Sequence, residues 1–310
     1  MKKTKKIIIF GCQKIAVDFV NFVVKHGKVE IPLVVSSELP NDEKLGYPSL
    51  LSEAKKLGIN VVNPTAIFSE LIDQIDDFSP DIFFSIYYRN ILPKRLLEVP
   101  RSGAVNVHPS LLPKYRGPVP TAWALLNGEK EFGVTLHLID EGVDTGDILA
   151  QEVHEIGPLE TGFELNNRAM SIGLQMLKKH FDDILEGRVA PVKQGKGGSY
   201  YGSLGKDIMV DWRNKADYLR NLVRVCSKPY EPVRSVLLNN TIFINKAKIF
   251  NTDDIPIQKP GRIVKMVDEK PVVSCADGFL LLEEYGFCSF MEGEERYDDF
   301  KVGNSFSNKS

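Results

Sequence analysis

The chain has 310 residues, 43% of them hydrophobic, and a formal net charge of −2. That length supports one large core or two domains, and the balanced charge excludes a disordered polyelectrolyte. No apolar run approaches the ~18–20 residues that a membrane-spanning helix needs. The basic start, Met1-Lys2-Lys3-Thr4-Lys5-Lys6, is followed only by Ile7 to Phe10 before Gly11, whereas a signal peptide needs an apolar core of ~7–15 residues. Cys12, Cys226, Cys275 and Cys288 show no CxxC and no paired spacing, which predicts reduced buried thiols in a cytoplasmic, soluble protein.

Short apolar runs at 7–10, 31–35, 59–62 and 81–87 alternate with helical patterns at about 13–26, 49–57 and 66–77. The β-branched runs are nearly continuous, which suits strands of a parallel sheet buried on both faces. Strand, helix, strand repeated in this way predicts an α/β fold with a doubly wound, mostly parallel sheet. The first strand ends Phe10-Gly11-Cys12-Gln13, with one glycine where a dinucleotide fold wants GxGxxG, and Ser36-Ser37 stand where the second strand would end on an acid; both disfavour an NAD site. Ala104 to His108 is a further strand. Phe132 to Leu138 alternates with period two, so one face of it should be less buried. Thr161-Gly162-Phe163-Glu164 is a capping box opening a helix to about Leu185. The composition then shifts: the glycine-rich Lys193 to Ser199 reads as a linker, and a helix at about 215–226 precedes five short strand patterns between 235 and 282. The boundaries drawn are 1–190 for the α/β domain, 191–206 for the linker, 207–303 for a small, mainly β, barrel-like domain, and 304–310 for a frayed tail.

Asn106 and His108 stand two apart on a strand and so share one face. The acidic, glycine-containing loop Asp140-Glu141-Gly142-Val143-Asp144-Thr145-Gly146 follows, and its Asp144 can hold the histidine. A carboxamide N–H donor, an imidazole and an orienting carboxylate equip a site for acyl transfer to an amine. Taken alone, His108 could equally be a core histidine. His26, His154 and His180 carry no obvious partner and read as surface residues; His137, on the alternating strand, reads as half-exposed. No serine or cysteine nucleophile adjoins His108, and the chemistry needs no metal.

The run Asn106 to Gly117 (Asn-x-His-Pro-Ser-Leu-Leu-Pro-Lys-Tyr-Arg-Gly), with Gly133-Val134-Thr135-Leu136-His137 and Asp144 to Leu149 after it, resembles the folate-dependent formyltransferases. The resemblance extends into the second domain through Asp211-Trp212 and Leu222-Val223-Arg224, and implies a Rossmann-like catalytic domain followed by an OB-like one. Within the family, Ser85 to Arg89 and Leu111 to Gly117 are most similar to the domain that formylates UDP-4-amino-4-deoxy-L-arabinose, although Pro118 stands where that domain has an arginine, which leaves the exact sugar open. The resemblance makes 10-formyltetrahydrofolate the co-substrate and Asn106, His108 and Asp144 the catalytic residues. It places the pterin against Asn90, Ile91 and Leu92 and against Asp140, Glu141, Gly142 and Val143.

Lys114, Tyr115 and Arg116 directly follow the catalytic strand and are the acceptor-site candidates; Ser110 joins them, although its hydroxyl also suits a loop cap. The expected acceptor is a nucleotide-linked amino sugar for surface polysaccharide or lipid A modification, with no nucleic-acid or membrane partner; a homodimer is one assembly open to it. The rival is methionyl-tRNA formylation, and a folate hydrolase, a purine-pathway enzyme and a non-catalytic binding module are the remaining alternatives. Transfer RNA demands a basic footprint, whereas residues 207–310 carry 15 Lys+Arg against 16 Asp+Glu, and seven acids face one base between Glu283 and Asp299. The loop after the second strand reads Asn41-Asp42-Glu43-Lys44, and a local patch at Arg213, Lys215, Arg220 and Arg224 keeps phosphate binding open.

Overall fold

The computed structural model describes residues 4–63, 68–287 and 300–307. They form two compact units: Met1–Pro120, Phe132–His154 and Asn167–Gly202 in the first, and Thr121–Glu131, Glu155–Asn166 and Ser203–Ser310 in the second. In chain order the first half contains β1 (Lys5–Gly11), α1 (Gln13–His26), β2 (Val29–Ser36), α2 (Pro40–Lys44), α3 (Leu50–Lys56), β3 (Val61–Val62), α4 (Phe68–Asp77), β4 (Ile82–Ile86), α5 (Lys94–Leu97) and β5 (Ala104–His108). It continues with α6 (Pro120–Leu126), β6 (Glu131–Leu138), β7 (Ile148–Glu155) and α7 (Gly162–Leu185). The start of the expected helix at 66–77 lies outside the described residues.

The seven strands follow the order β3-β2-β1-β4-β5-β6-β7. β1 to β5 run parallel, and β6 turns antiparallel to β5. The mostly parallel, doubly wound sheet expected from the apolar runs is present, and both its faces are covered. Ile8, Phe10, Leu33, Val35, Phe83 and Ile75 pack on one side. On the other, Phe19 of α1 and Phe181 of α7 meet Phe84 of β4 at ring-centroid distances of 5.2 and 5.7 Å. The capping box of α7 is formed: Thr161 N–H donates to Glu164 Oε2 at 2.9 Å, and Glu164 N–H donates to Thr161 Oγ1 at 3.3 Å. His26, expected at the surface, is largely covered, lying against Phe181 and 3.1 Å from Asp182.

β6 departs from its alternating pattern. Phe132 to His137 are all buried, with Thr135 0% and His137 2% exposed. The period-two polar positions face a polar pocket rather than water, which the pattern alone does not distinguish. Cys12, Cys226 and Cys275 are buried free thiols, pushed up to about 11, 11 and 12 by burial. Among the described residues, no helix is long and apolar enough to cross a membrane.

The second unit contains α8 (Ala216–Val225), β8 (Val233–Leu237), β9 (Asn240–Ile249), β10 (Ile263–Val267), β11 (Lys270–Ser274), β12 (Phe279–Phe287) and β13 (Phe306–Ser307). Its antiparallel sheet runs β10-β11-β12-β9-β8-β13. The two edges join: Ile263 N–H donates to Asn304 O and Phe306 N–H to Gly261 O, each at 2.8 Å. The sheet is thus a closed barrel, which leaves no unpaired edge there. The expectation of a frayed tail from residue 304 is corrected for 304–307. Phe306 is an apolar anchor, 3% exposed, with its ring 5.1 Å from that of the buried Trp212. Phe306→Ala should therefore destabilise the second unit by about 3–5 kcal/mol in urea denaturation followed by tryptophan fluorescence, while Ser307→Ala leaves the midpoint in place.

Candidate active site

The face that α7 covers determines what the other face of the sheet can hold. Val107 of β5 lies opposite Leu136 of β6. Gly173 of α7 sits so close to Val107 that a Cβ there would come within 2.8 Å of its Cγ2. On the opposite face, cross-strand pairing sets Asn106 beside His137 and His108 beside Thr135, the arrangement in which antiparallel side chains touch.

Asn106 Nδ2 donates to His137 Nε2 at 3.0 Å, and His137 Nδ1 donates to Leu138 O at 2.7 Å. A carbonyl only accepts, so Nδ1 carries the hydrogen and Nε2 is the bare acceptor. Burial, reinforced by the nearby His108, pushes the His137 imidazole down to about 4. His137 is thus a neutral ring that fixes the rotation of the Asn106 amide and leaves the second hydrogen of Nδ2 to be donated.

His108 is 5% exposed, and its Nε2 donates to Tyr115 O at 2.8 Å. Its Nδ1 faces Asp144 Oδ1 at 3.6 Å. The same oxygen lies 3.7 Å from His137 Nε2, while Asp144 Oδ2 accepts from Gly117 N–H at 2.8 Å. Protonation of His108 at Nδ1 turns the approach to Asp144 into an ion pair, so this is the atom at which the site can hold a proton. Asp144 has φ +53°, in the left-handed region that costs a non-glycine residue energy. Its loop is internally braced: Asp140 Oδ1 accepts from Gly142 N–H at 3.0 Å and Thr145 Oγ1 at 2.6 Å. Gly146 is required there, because a Cβ would meet Leu138 O at 1.8 Å.

The other candidates distribute unevenly. Ser110 is 3% exposed and its hydroxyl donates to Lys114 O at 2.8 Å, the loop cap that its place in the sequence also suits. Lys114 is exposed; Tyr115 is buried and stacks on Tyr201 at 5.2 Å. Arg116 gives Nε and Nη2 to Gln194 Oε1 at 3.2 and 2.7 Å. Asn90 and Ile91 are exposed, whereas Leu92 packs into the core. Gly142 and Val143 are exposed, and a Lys94–Glu141 ion pair at 2.6 Å draws the 140–143 segment to the stretch after 90–92. Among the described residues, no cluster of three or more His, Cys, Asp or Glu could hold a metal ion.

Two features escaped the sequence. His137 was inside a quoted motif, but its partner becomes visible only when β6 is paired antiparallel to β5. The segment taken as a linker is, up to Gly202, part of the first unit. Its backbone runs along the Asn106–Gly117 loop: Ser199 N–H donates to Pro113 O at 3.1 Å, Arg116 N–H to Ser199 O at 2.9 Å and Tyr201 N–H to Arg116 O at 3.0 Å. Glycine content there marks close approach rather than flexibility, since a Cβ on Gly198 would lie 2.7 Å from Pro113 O.

A carboxamide, an imidazole and a braced carboxylate stand together on one face of an α/β sheet. The chain belongs to the formyl transferase family: residues 6–180 match the formyl transferase domain and residues 205–295 the formyl transferase C-terminal domain. It is 31% identical over 304 residues to a methionyl-tRNA formyltransferase of Geobacter metallireducens, covering 96% of this chain and 95% of that one. Among solved structures it resembles an N-formyltransferase from Helicobacter canadensis in complex with folinic acid and dTDP-3-aminofucose, with TM-score 0.71, 25% identity, and coverage of 90% of this chain and 98% of that one. A 4-N formyltransferase from Francisella tularensis shares the fold, with TM-score 0.65, 20% identity, and coverage of 81% and 99%.

The lowered His137 value has a consequence for stability. Between pH 6.5 and about 4 the unfolded chain takes up a proton that the folded chain refuses, so stability falls as pH drops through that window and this loss levels off below it. His137→Asn should flatten that part of the stability curve, and an imidazole resonance of His137 titrating near 6.5 would contradict the assignment.

Proposed function

We propose that the protein transfers the formyl group of 10-formyltetrahydrofolate to the amine of a nucleotide-linked amino sugar, a product suited to surface polysaccharide or lipid A modification. The amine nitrogen forms a bond to the formyl carbon, whose oxygen becomes a tetrahedral oxyanion. Asn106 donates its second Nδ2 hydrogen to that oxygen, a preorganised contact worth about 3–4 kcal/mol. His108 takes the proton released by the amine and delivers it to the folate nitrogen as the bond from that nitrogen to carbon breaks. Asp144 supplies the counter-charge while His108 holds the proton. The products are the N-formylated sugar and tetrahydrofolate.

The observation that carries the sugar reading is the pairing of several of the second unit's cations with its own acids. Arg213 pairs with Asp211 at 2.7 Å, Arg220 with Asp217 at 3.2 Å, Lys228 with Glu284 at 2.7 Å, Arg234 with Asp207 at 2.6 Å and Lys248 with Glu283 at 2.9 Å. Arg224 donates Nη2 to the carbonyls of Glu160 and Gly157 at 2.7 and 3.0 Å. Three of the four residues of the suspected phosphate patch are thereby engaged. The acid-rich stretch from 288 to 299 lies outside the described residues. After β2, Asp42 forms a bidentate pair with Arg89 at 2.6 and 2.8 Å, so Arg89 braces that loop rather than standing free for a phosphate. The similarity to a folate- and dTDP-aminosugar-bound N-formyltransferase supports the same acceptor class.

Methionyl-tRNA formylation is the second reading, favoured by the nearly full-length match to proteins of that name. Formyl transfer from 10-formyltetrahydrofolate, measured with a panel of amino-sugar nucleotides beside charged initiator tRNA, separates the two. Turnover is expected with a sugar nucleotide; turnover with tRNA alone, with binding that weakens steeply as salt is added, would reverse the order. His108→Ala, Asn106→Ala and Asp144→Ala should each lower kcat by about 10²–10⁴-fold with little loss of folding, and the double variant should cost little more than its worse parent. Arg116→Ala should raise KM for the acceptor far more than for the folate.

A further inference from the structure

Residues 181–204 lie between the two stretches that match the family, yet one of them ties the two loops of the site together. Gln194 Nε2 donates to Asp144 O at 2.8 Å and to Gly146 O at 2.7 Å, while its Oε1 accepts from Arg116 Nε at 3.2 Å and Nη2 at 2.7 Å. Carbonyls only accept and a guanidinium only donates, so the amide has one permitted orientation and spends both ends.

We propose that Gln194 is a positioning residue that couples the loop carrying Asp144 to the loop carrying Arg116. The nitrogen end staples the carbonyls on either side of Thr145, holding the turn in which Asp144 adopts φ +53°. The Asp140 bonds brace the loop from within, and the Gln194 staple adds a tie from outside it to the turn that sets the aim of the carboxylate at His108. The oxygen end fixes the guanidinium that follows Tyr115, whose carbonyl receives His108 Nε2. A second bond, from Gly117 N–H to Asp144 Oδ2, closes a ring through both loops: Asp144, Gln194, Arg116, Gly117 and back. Breaking the Gln194 link therefore releases Asp144 on one side and Arg116 on the other.

The inference rests on the roles given above to Asp144 and Arg116, and two substitutions take its halves apart. Gln194→Glu keeps the shape and still accepts from Arg116, but cannot donate to the two carbonyls. Gln194→Ala removes both ends. In formyl transfer to whichever amine acceptor the wild type turns over, Gln194→Glu should lower kcat by about 10²-fold with the acceptor KM nearly unchanged. Gln194→Ala should lower kcat similarly and raise the acceptor KM as well. Hydrogen–deuterium exchange gives a readout independent of activity. Peptides covering 113–118 and 140–147 should exchange faster in both variants, with other first-unit peptides unchanged and the melting temperature within a few degrees. Wild-type kcat and wild-type exchange in Gln194→Glu would overturn the proposal. So would a general rise in exchange with a collapsed melting temperature, which would make Gln194 a structural tie. A wild type inactive on sugar nucleotides but active on tRNA defeats the acceptor assignment and leaves this test intact.

Discussion

The site depends on the register between two strands of opposite direction. Five members of the sheet, β1 to β5, run parallel, but β6 enters antiparallel, and its pairing with β5 sets Asn106 against His137 and His108 against Thr135. A slip of one residue would send every side chain of β6 to the other face. Leu136 would then face the pocket, and His137 would lie under α7 without a polar partner, at a cost of a few kcal/mol for an unsatisfied buried group. The closed face enforces the register. A Cβ on Gly173 would lie 2.8 Å from Val107 Cγ2 and 3.6 Å from Val134 Cγ1, so the valines of β5 and β6 pack directly on the bare helix backbone. Apolar packing on one side of the sheet is therefore the physical reason that the polar chemistry is ordered on the other.

Two imidazoles near one carboxylate pose an electrostatic problem, because both cannot be charged in so small a volume. Burial resolves it by keeping His137 neutral. A neutral ring with its hydrogen committed to Leu138 O presents only a lone pair to Asn106, and the amide turns its nitrogen towards it. Had His137 been protonated, the amide would have turned its oxygen inward, and the pocket would have lost its donor. His108 is left as the group able to exchange a proton against Asp144. The division of labour follows from burial and from which backbone carbonyl each ring meets.

Helical and strand periods in the first half were legible because they reflect a sheet buried on both faces, and α1 starts and stops where the apolar pattern does. Asn106, His108 and Asp144 were legible because strand alternation and a glycine-bearing acidic loop are local signals. His137 was not, since a polar residue on an alternating strand looks the same facing a pocket or water. Lys193 to Ser199 failed for the same kind of reason: glycine signals both loose chain and close backbone approach, and only Pro113 O beside Gly198 decides between them. The tail misled because one phenylalanine, Phe306, anchors it, and barrel closure with residues 261–263 is a long-range pairing that no local pattern records.

On the proposed mechanism, discrimination between acceptors lies away from Asn106, His108 and Asp144, because any amine that reaches the formyl carbon meets the same three groups. RNA affinity comes mainly from counterions released when free cations neutralise phosphates. A guanidinium already held by a carboxylate must be freed from that acid before it can neutralise a phosphate and release the counterion condensed there. Arg89 shows the extreme: two bonds to Asp42, which is 6% exposed, and a third to Ser37 O make it an internal brace of the loop after β2. Arg213, Arg220 and Arg234 are weaker versions of the same device, exposed enough for each pair to contribute little to stability yet occupied enough to blunt an RNA footprint. A small diphosphate needs only one or two donors, a demand far below that of a tRNA stem.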